Sequence, residues 1–221
     1  MPLASFIPKR KTNQIRQHGA MEFSDPPVDL DKVRLERLAR FRKKMAEHEV
    51  AGLLLFNQIN TRYATDATNM QIWCSHYETR CVFVSLEGPV VLFDYANHPH
   101  LAEDLPTINE YRVLPAFYFF AVGNRGEEFV IEFAAQISDL MNRYGGGNKR
   151  LAIDMLSQTG CDALCARGFE LIEGEQITET ARAIKSYDEL KLMQVSMNVC
   201  QKGMRAMQEY LEPGITENAL W

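Results

Sequence analysis

The sequence has 221 residues, 46% of them hydrophobic, so the chain is long enough to form a globular core. Its formal net charge of -5 argues against general binding to nucleic acid, and its longest apolar run is too short to span a bilayer. The five cysteines lack the spacing of a disulfide framework, which predicts a reducing compartment and a cytoplasmic location.

The first predicted elements lead into a buried strand. Residues 1–28 are polar, basic and then proline-containing, which predicts a loosely held N-terminal arm. A helix is predicted over 31–48, because apolar residues recur there at steps of three and four. The continuous apolar run over 51–56 is typical of a strand that is covered on both faces.

The middle of the chain contains the clearest strand pair. Two β-rich runs, 81–86 and 90–95, flank a turn at 87–89 and predict a hairpin. The pattern then predicts, in order, a strand over 109–117, a helix over 126–144, a strand over 150–155, a helix over 158–166 and a strand over 168–172. This order is typical of an α/β domain with a mixed sheet and flanking helices. The hairpin excludes a fully parallel, doubly wound sheet.

The last part of the chain predicts a long amphipathic helix over 187–211. Ser186 and Glu189 have the spacing of a capping box, Pro213 and Gly214 end the helix, and Thr216 begins another. The helix either folds back on its own domain or begins a further one. Its apolar stripe consists of Leu190, Met193, Met197, Cys200, Met204, Met207 and Leu211.

Three short motifs favour structural roles over chemical ones. The glycines of "YGGGNK" follow a helix and precede a strand, which predicts a left-handed helix end rather than a phosphate loop. Cys161 and Cys165 have no second cysteine pair with which to hold zinc, and we interpret them as small core residues. His98 and His100 flank a proline, which predicts a turn.

The segment over 57–80 differs from its surroundings. It is rich in polar and aromatic residues, shows little periodicity and lies between two buried strands. Such a loop-like segment predicts either a surface that faces a ligand or a large loop whose aromatic residues, Tyr63 and Trp73, stabilise the fold.

Three stretches of this sequence resemble one enzyme family. "NTRYATDATNMQIW" resembles the N-x-R-Y-x-T segment of the creatinase/prolidase (M24) N-terminal domain. "ETARAIKSYDELKLMQ" is similar to the R-x-I-K-S/G-x-x-E-I entry into that family's catalytic pita-bread domain, and "LEPGITENAL" to the PG-x-T-E turn after its first helix. Within the family, "RYATDATNMQIW" and "GGGNKRLAID" resemble the branch that contains the metal-dependent dimethylsulfoniopropionate lyases.

The resemblance implies a domain organisation and a cofactor. Residues 29–178 would form the creatinase-like N-terminal domain, and 179–221 the first helix of a truncated pita-bread α+β domain. In this family the catalytic domain binds two divalent metal ions through two aspartates, a histidine and two glutamates, which we expect beyond Trp221. We therefore predict no catalytic residue and no metal ligand in this chain, and no activity of the chain alone.

The resemblance also implies partners and a binding site. The family's N-terminal domain helps to form a homodimer and covers the partner's active site, where a small-molecule substrate binds. Trp73 would offer its indole face to a sulfonium or other cation, and Arg80 would hold a substrate carboxylate. Tyr63 and His76 complete the predicted substrate-binding set.

Other functions fit the same residues. The full-length protein could be a Xaa-Pro aminopeptidase, a prolidase or a creatinase-like hydrolase rather than a lyase. The domain could instead be a non-catalytic protein-interaction module, or a freestanding α/β domain that binds a small molecule and has no relation to this family.

Overall fold

The computed structural model of the chain describes residues 27–220. The predicted N-terminal arm therefore lies almost entirely outside the described residues. Residues 28–192 form one compact unit, and residues from 193 onward belong to a second. The domain boundary predicted after residue 178 falls inside a helix of the first unit, and it stays a prediction.

A six-stranded mixed sheet forms the centre of the first unit, in the order β4-β3-β2-β1-β5-β6. Strand β2 runs antiparallel to β1 and β3, whereas the remaining pairs are parallel. The predicted hairpin and mixed sheet are confirmed. The strands are β1 Gly52–Leu55, β2 Cys81–Ser85, β3 Val90–Asp94, β4 Glu110–Val113, β5 Arg150–Ile153 and β6 Glu170–Glu173.

Helices cover both faces of the sheet in the first unit, and further helices follow in the described part of the second unit. The helices predicted over 31–48, 126–144, 158–166 and 187–211 are confirmed, with ends within one residue. Within residues 27–220, no helix is both long and apolar enough to cross a bilayer. The helices are α1 Leu30–Glu47, α2 Gln58–Thr65, α3 Gln71–His76, α4 Phe119–Val122, α5 Gly126–Tyr144, α6 Gln158–Cys165, α7 Glu175–Ala183, α8 Tyr187–Tyr210 and α9 Glu217–Leu220.

The prediction of a loop-like segment over 57–80 was wrong, because this segment contains α2 and α3. The Asn57 side chain caps α2 by accepting from the Ile59 amide at 2.9 Å. Asp66 ends the helix in the left-handed conformation, with φ of 63°. Both helices are too short to show a period of 3.6 residues, so local caps and packing define them rather than an apolar stripe.

Two apolar layers hold the sheet between the helices. On one face, Phe83 and Leu54 pack in a cluster with Phe133 and Ile137 of α5. On the other, Leu53 and Val82 pack with residues of α1, α2 and α7. Each fully buried side chain of this size contributes about 1.5–3 kcal/mol, so the two layers fix the sheet and thereby the edge on which its connecting segments lie.

The ends of the long helices follow the predicted chemistry. The Ser186 amide donates to Glu189 Oε2 at 2.8 Å and the Glu189 amide to Ser186 Oγ at 3.3 Å, which confirms the capping box. Thr216 Oγ1 accepts from the Ala219 amide at 3.3 Å, so the second helix start is also confirmed. Two glycines after α5, Gly146 and Gly147, have φ of 58° and 84°, as the helix-end interpretation requires.

The first turn of α8 is joined to α1 by buried carboxylates. Glu189 is 5% exposed. Its Oε1 accepts from Arg37 Nε at 2.9 Å and its Oε2 from Arg40 Nη1 at 2.7 Å. Asp188 Oδ2 accepts from Lys32 Nζ at 2.7 Å. Basic side chains of α1 thus bind the two carboxylates in the first turn of α8. The helix dipole also favours negative charge at this end of a helix.

Candidate functional site

The connections at one edge of the sheet contain the candidate site. Because β2 alone runs opposite to the other strands, its amino end lies at the same edge as the carboxyl ends of its neighbours. The segment from β1 to β2, the turn after β3 and the segments after β4 and β5 therefore meet at this edge. In open α/β sheets, ligands commonly bind at the carboxyl ends of the strands.

A buried carboxylate fixes the start of the β1–β2 segment. Asp154, which follows β5, accepts from the Phe56 amide at 2.8 Å and from Asn60 Nδ2 at 2.9 Å. Burial raises the pKa of Asp154, although these hydrogen bonds act in the opposite direction. The acceptors of Asp154 are thus used within the fold, which favours a structural role.

Four aromatic rings pack together beside α3, and we call Trp73, Tyr77, Tyr118 and Phe120 the aromatic cluster. The Tyr77 ring lies 4.6 Å from Trp73 and 5.0 Å from Tyr118, and the Phe120 ring lies 5.3 Å from Trp73. Burial raises the pKa of Tyr118 to about 12, so its phenol is neutral at ordinary pH. The neighbouring Phe119 is 75% exposed and Phe120 is 69% exposed, so the cluster borders an apolar surface.

A cleft of about 290 Å³ adjoins the aromatic cluster. The Glu78 carboxylate beside it accepts from Ser157 Oγ at 2.9 Å and from the Ser157 amide. Aromatic faces and a carboxylate both attract cations, so this combination suits a positively charged group. The cleft is lined by Ser75, His76, Tyr77, Glu78, Tyr118, Met155, Leu156 and Ser157.

Two predicted substrate-binding residues lie together, and Tyr63 does not join them. Trp73 and His76 share α3, and Tyr77 contacts both rings, at 4.6 Å in each case. Tyr63 packs edge-on against Phe41 of α1 at 5.0 Å, and its hydroxyl donates to the backbone oxygen of Ala181 at 3.3 Å. These contacts place Tyr63 between α1 and α7.

Arg80 lies inside the fold. It is 1% exposed, and its Nε lies 2.8 Å from Oδ2 of Asp94, which is buried to the same extent. The guanidinium therefore faces a carboxylate of its own chain. The predicted role of Arg80, to hold a substrate carboxylate, stays a prediction, and the geometry gives it a structural partner instead.

Sequence reasoning missed several residues of this surface. Tyr118 and Phe120 come from the longest apolar run, "VLPAFYFFAVG", beyond the end of the strand predicted over 109–117. Their signal was the run of adjacent aromatic residues, but nothing in the sequence indicated that they would pack against Trp73. Glu78 lies within the predicted segment, beside His76 and Tyr77, and was not singled out.

The described part of the chain does not provide a metal centre. Within residues 27–220, no group of three or more histidine, cysteine, aspartate or glutamate side chains is close enough to hold a metal ion. A dimetal centre needs several such ligands in one place. The described residues therefore do not fit a pair of metal ions.

Comparison with known proteins identifies the domain. The family model "Creatinase/Prolidase N-terminal domain" matches residues 37–184. A dimethylsulfoniopropionate lyase, DddP, of Roseovarius nubinhibens is 35% identical over 189 residues, which are 86% of this chain and 42% of that protein. DddP of Roseobacter denitrificans is 36% identical over 202 residues, with 87% and 45% covered. The chain thus spans less than half the length of these curated relatives.

Solved structures share the fold at lower identity. A Xaa-Pro dipeptidase from Bacillus anthracis superposes with a TM-score of 0.58 at 18% identity, over 85% of this chain and 46% of that one. The prolidase from Pyrococcus horikoshii OT3 gives a TM-score of 0.57 at 16% identity, over 84% and 46%. The structures show the fold alone, whereas the family model matches more than half of the residues and shows that the chain belongs to the creatinase/prolidase (M24) family, of which it contains the N-terminal domain.

Proposed function

We propose that this chain is the dimerisation and substrate-capping N-terminal part of a dimetal enzyme that cleaves dimethylsulfoniopropionate to dimethyl sulfide and acrylate. Both curated relatives are lyases of that name, at 35% and 36% identity. The prolidase-like structures support only the fold, because their identity to this chain is below 20%.

The observation that supports this proposal is the aromatic cluster at the edge of the sheet. Trp73 is partly buried against Tyr77 and Phe120, and Tyr77 in turn lines the cleft that carries the carboxylate of Glu78. A sulfonium cation is attracted both by ring faces and by a carboxylate. One such ring contributes about 0.5–2 kcal/mol to the binding of a cation.

The reaction itself would take place on residues outside this chain. A carboxylate base removes the proton next to the substrate carboxylate, the carbon–sulfur bond breaks, and dimethyl sulfide leaves with the bonding electrons, so that acrylate remains. In the family, two metal ions bind in the catalytic domain. The role of the present residues is to cover the substrate of the partner subunit, orient its sulfonium group and exclude water.

The test uses a longer protein, encoded by the reading frame that contains this sequence and similar in length to the curated relatives. That frame should encode the aspartate, aspartate, histidine, glutamate, glutamate ligand set, and the protein should release dimethyl sulfide from dimethylsulfoniopropionate. Trp73→Ala should lower kcat/KM roughly 2- to 30-fold, the kinetic equivalent of a lost cation–ring contact. Trp73→Phe, which keeps a ring, is the matched control and should lose much less.

Stability measurements on the 221-residue chain separate this role from a packing role. Because Trp73 is only partly buried, Trp73→Ala should cost clearly less stability than the loss of about 3–5 kcal/mol that follows truncation of a fully buried ring. A loss of that size would assign Trp73 to the core. A reading frame without the ligand set, or a full-length protein without lyase activity, would contradict the proposed function.

A further inference from the structure

A buried ion pair closes the base of the segment that carries Trp73. Arg80 precedes β2 and Asp94 ends β3, and the register that pairs Cys81 with Phe93 places these two residues opposite each other. The separation of 2.8 Å between Arg80 Nε and Asp94 Oδ2, at 1% exposure of both side chains, makes this a contact that water does not screen. The pair therefore joins the end of the segment to the sheet.

The same carboxylate also binds the start of α3. Asn69 Nδ2 donates to Asp94 Oδ1 at 2.9 Å, and it lies 2.8 Å from His98 Nδ1. Asn69 Oδ1 accepts from the amide of Met70, the residue that precedes α3, at 2.8 Å. Since the oxygen and the nitrogen of this amide both have partners, the side chain of Asn69 has a single well-defined orientation.

Arg80 links the two ends of the segment directly. Its Nη1 donates to the backbone oxygen of Ala67 at 3.3 Å, across thirteen residues of sequence. Residues 67–80 thus form an arch whose ends, Ala67 and Arg80, contact each other, while Asn69 and Arg80 both contact Asp94. Helix α3, which lies within this arch, has only six residues and is too short to be stable without such contacts.

We propose that Arg80, Asp94 and Asn69 form a clamp that sets the position of α3 and of the Trp73 ring. Arg80 is then a positioning residue, and it acts on a ligand only through Trp73. This inference does not depend on the reaction proposed above, because the clamp and the ring belong to the same chain and the ring can be followed without substrate.

The test measures the environment of Trp73 in the folded 221-residue chain. The chain contains two tryptophans, so a Trp221→Phe background leaves Trp73 as the one emitter. In this background, Arg80→Met should shift the emission to longer wavelength and raise the acrylamide quenching constant, because α3 loses its attachment. Arg80→Lys keeps the charge opposite Asp94 but loses the fork that reaches Ala67, and should give an intermediate value.

The control is Glu189→Gln, which weakens the fold at the contact between α1 and α8 and should leave the emission of Trp73 unchanged. If Arg80→Met does not fold, Asn69→Ala gives the same measurement, because it removes the attachment of α3 without leaving a buried charge unpaired. The proposal is overturned if the folded Arg80 or Asn69 variant shows unchanged emission and quenching. It is also overturned if Glu189→Gln changes them equally, since the effect would then be a general loosening of the fold.

Discussion

Replacement of Glu189 by glutamine should destabilise the contact between α1 and α8 by a predictable amount. The Glu189 side chain is 5% exposed and accepts three hydrogen bonds, from Arg37, Arg40 and the Ser186 amide. Glutamine has the same size, so it keeps the packing and removes only the charge and one acceptor. The change therefore isolates the electrostatic part of the contact.

The geometry indicates which bond is lost. Oε2 receives two donors, Arg40 Nη1 at 2.7 Å and the Ser186 amide at 2.8 Å, so the remaining oxygen of the introduced amide belongs there. Its nitrogen then faces Arg37 Nε, and that bond is lost. A hydrogen bond to a charged group contributes about 1.5–3 kcal/mol. The arginines are 22% and 26% exposed, so water partly replaces the lost partner and we expect a net loss of about 2 kcal/mol.

The loss should depend on pH. Burial raises the pKa of Glu189, but hydrogen bonds from the Ser186 amide and both arginines outweigh it and hold the pKa below its ordinary value of 4.5. Since the folded-state pKa is lower than the unfolded one, the stabilisation is complete above the unfolded value and disappears as pH falls through the folded value. The difference between the two proteins should therefore shrink below pH 4.5.

Urea unfolding followed by circular dichroism at several pH values measures this difference. At neutral pH, urea unfolding should give a loss of about 2 kcal/mol in the free energy of unfolding. In a thermal melt the same loss corresponds to a drop in Tm of roughly 4–8 °C for a chain of this size. Glu179→Gln is the matched control, because its ion pair with Arg182 lies on the surface and should contribute less than about 1 kcal/mol. Equal losses in the two variants, or a loss that persists at low pH, would refute the reasoning.

Two further predictions concern the chain as a whole. With added iron, manganese or zinc, the purified 221-residue chain should show no lyase or peptidase turnover, because its described residues offer no metal-ligand cluster; turnover that a chelator abolishes would contradict this. Light scattering should detect self-association through α8, where Met197 and Met204 are 64% and 71% exposed, and the double change Met197→Gln, Met204→Gln should reduce it. Equal scattering by both proteins would exclude this face as the contact.

The elements that could be predicted from the sequence are those in which the same apolar pattern repeats over several turns or strands. Helix α5 was predicted with its observed bounds, because its apolar stripe continues through nineteen residues. Helices α2 and α3 have eight and six residues, and their definition depends on contacts with distant residues such as Asp154 and Asp94. No local pattern reports such contacts, and so the segment was wrongly interpreted as irregular.

The candidate site shows the same limit. The sequence predicted that Trp73 and His76 belong to a binding site, because polar and aromatic residues are concentrated around them. It could not reveal the pairing of Arg80 with Asp94, which requires the hairpin register to be known to within one residue. From the sequence alone, Arg80 could therefore be predicted to bind a ligand. Only the register of β3 against β2 shows that Asp94 lies opposite it.

The orientation of β2 has a consequence for how such a domain can change over evolutionary time. Because β1 ends and β2 begins at the same edge of the sheet, the connection between them starts and finishes at that edge. Insertions at exposed positions of this connection that keep the packing of α2 and the contacts of Asn69 and Arg80 need not alter the register of any strand, because doubling the length of a flexible stretch costs only about 0.6 kcal/mol. This topology lets new ligand preferences arise in one connection while the framework that supports it stays intact.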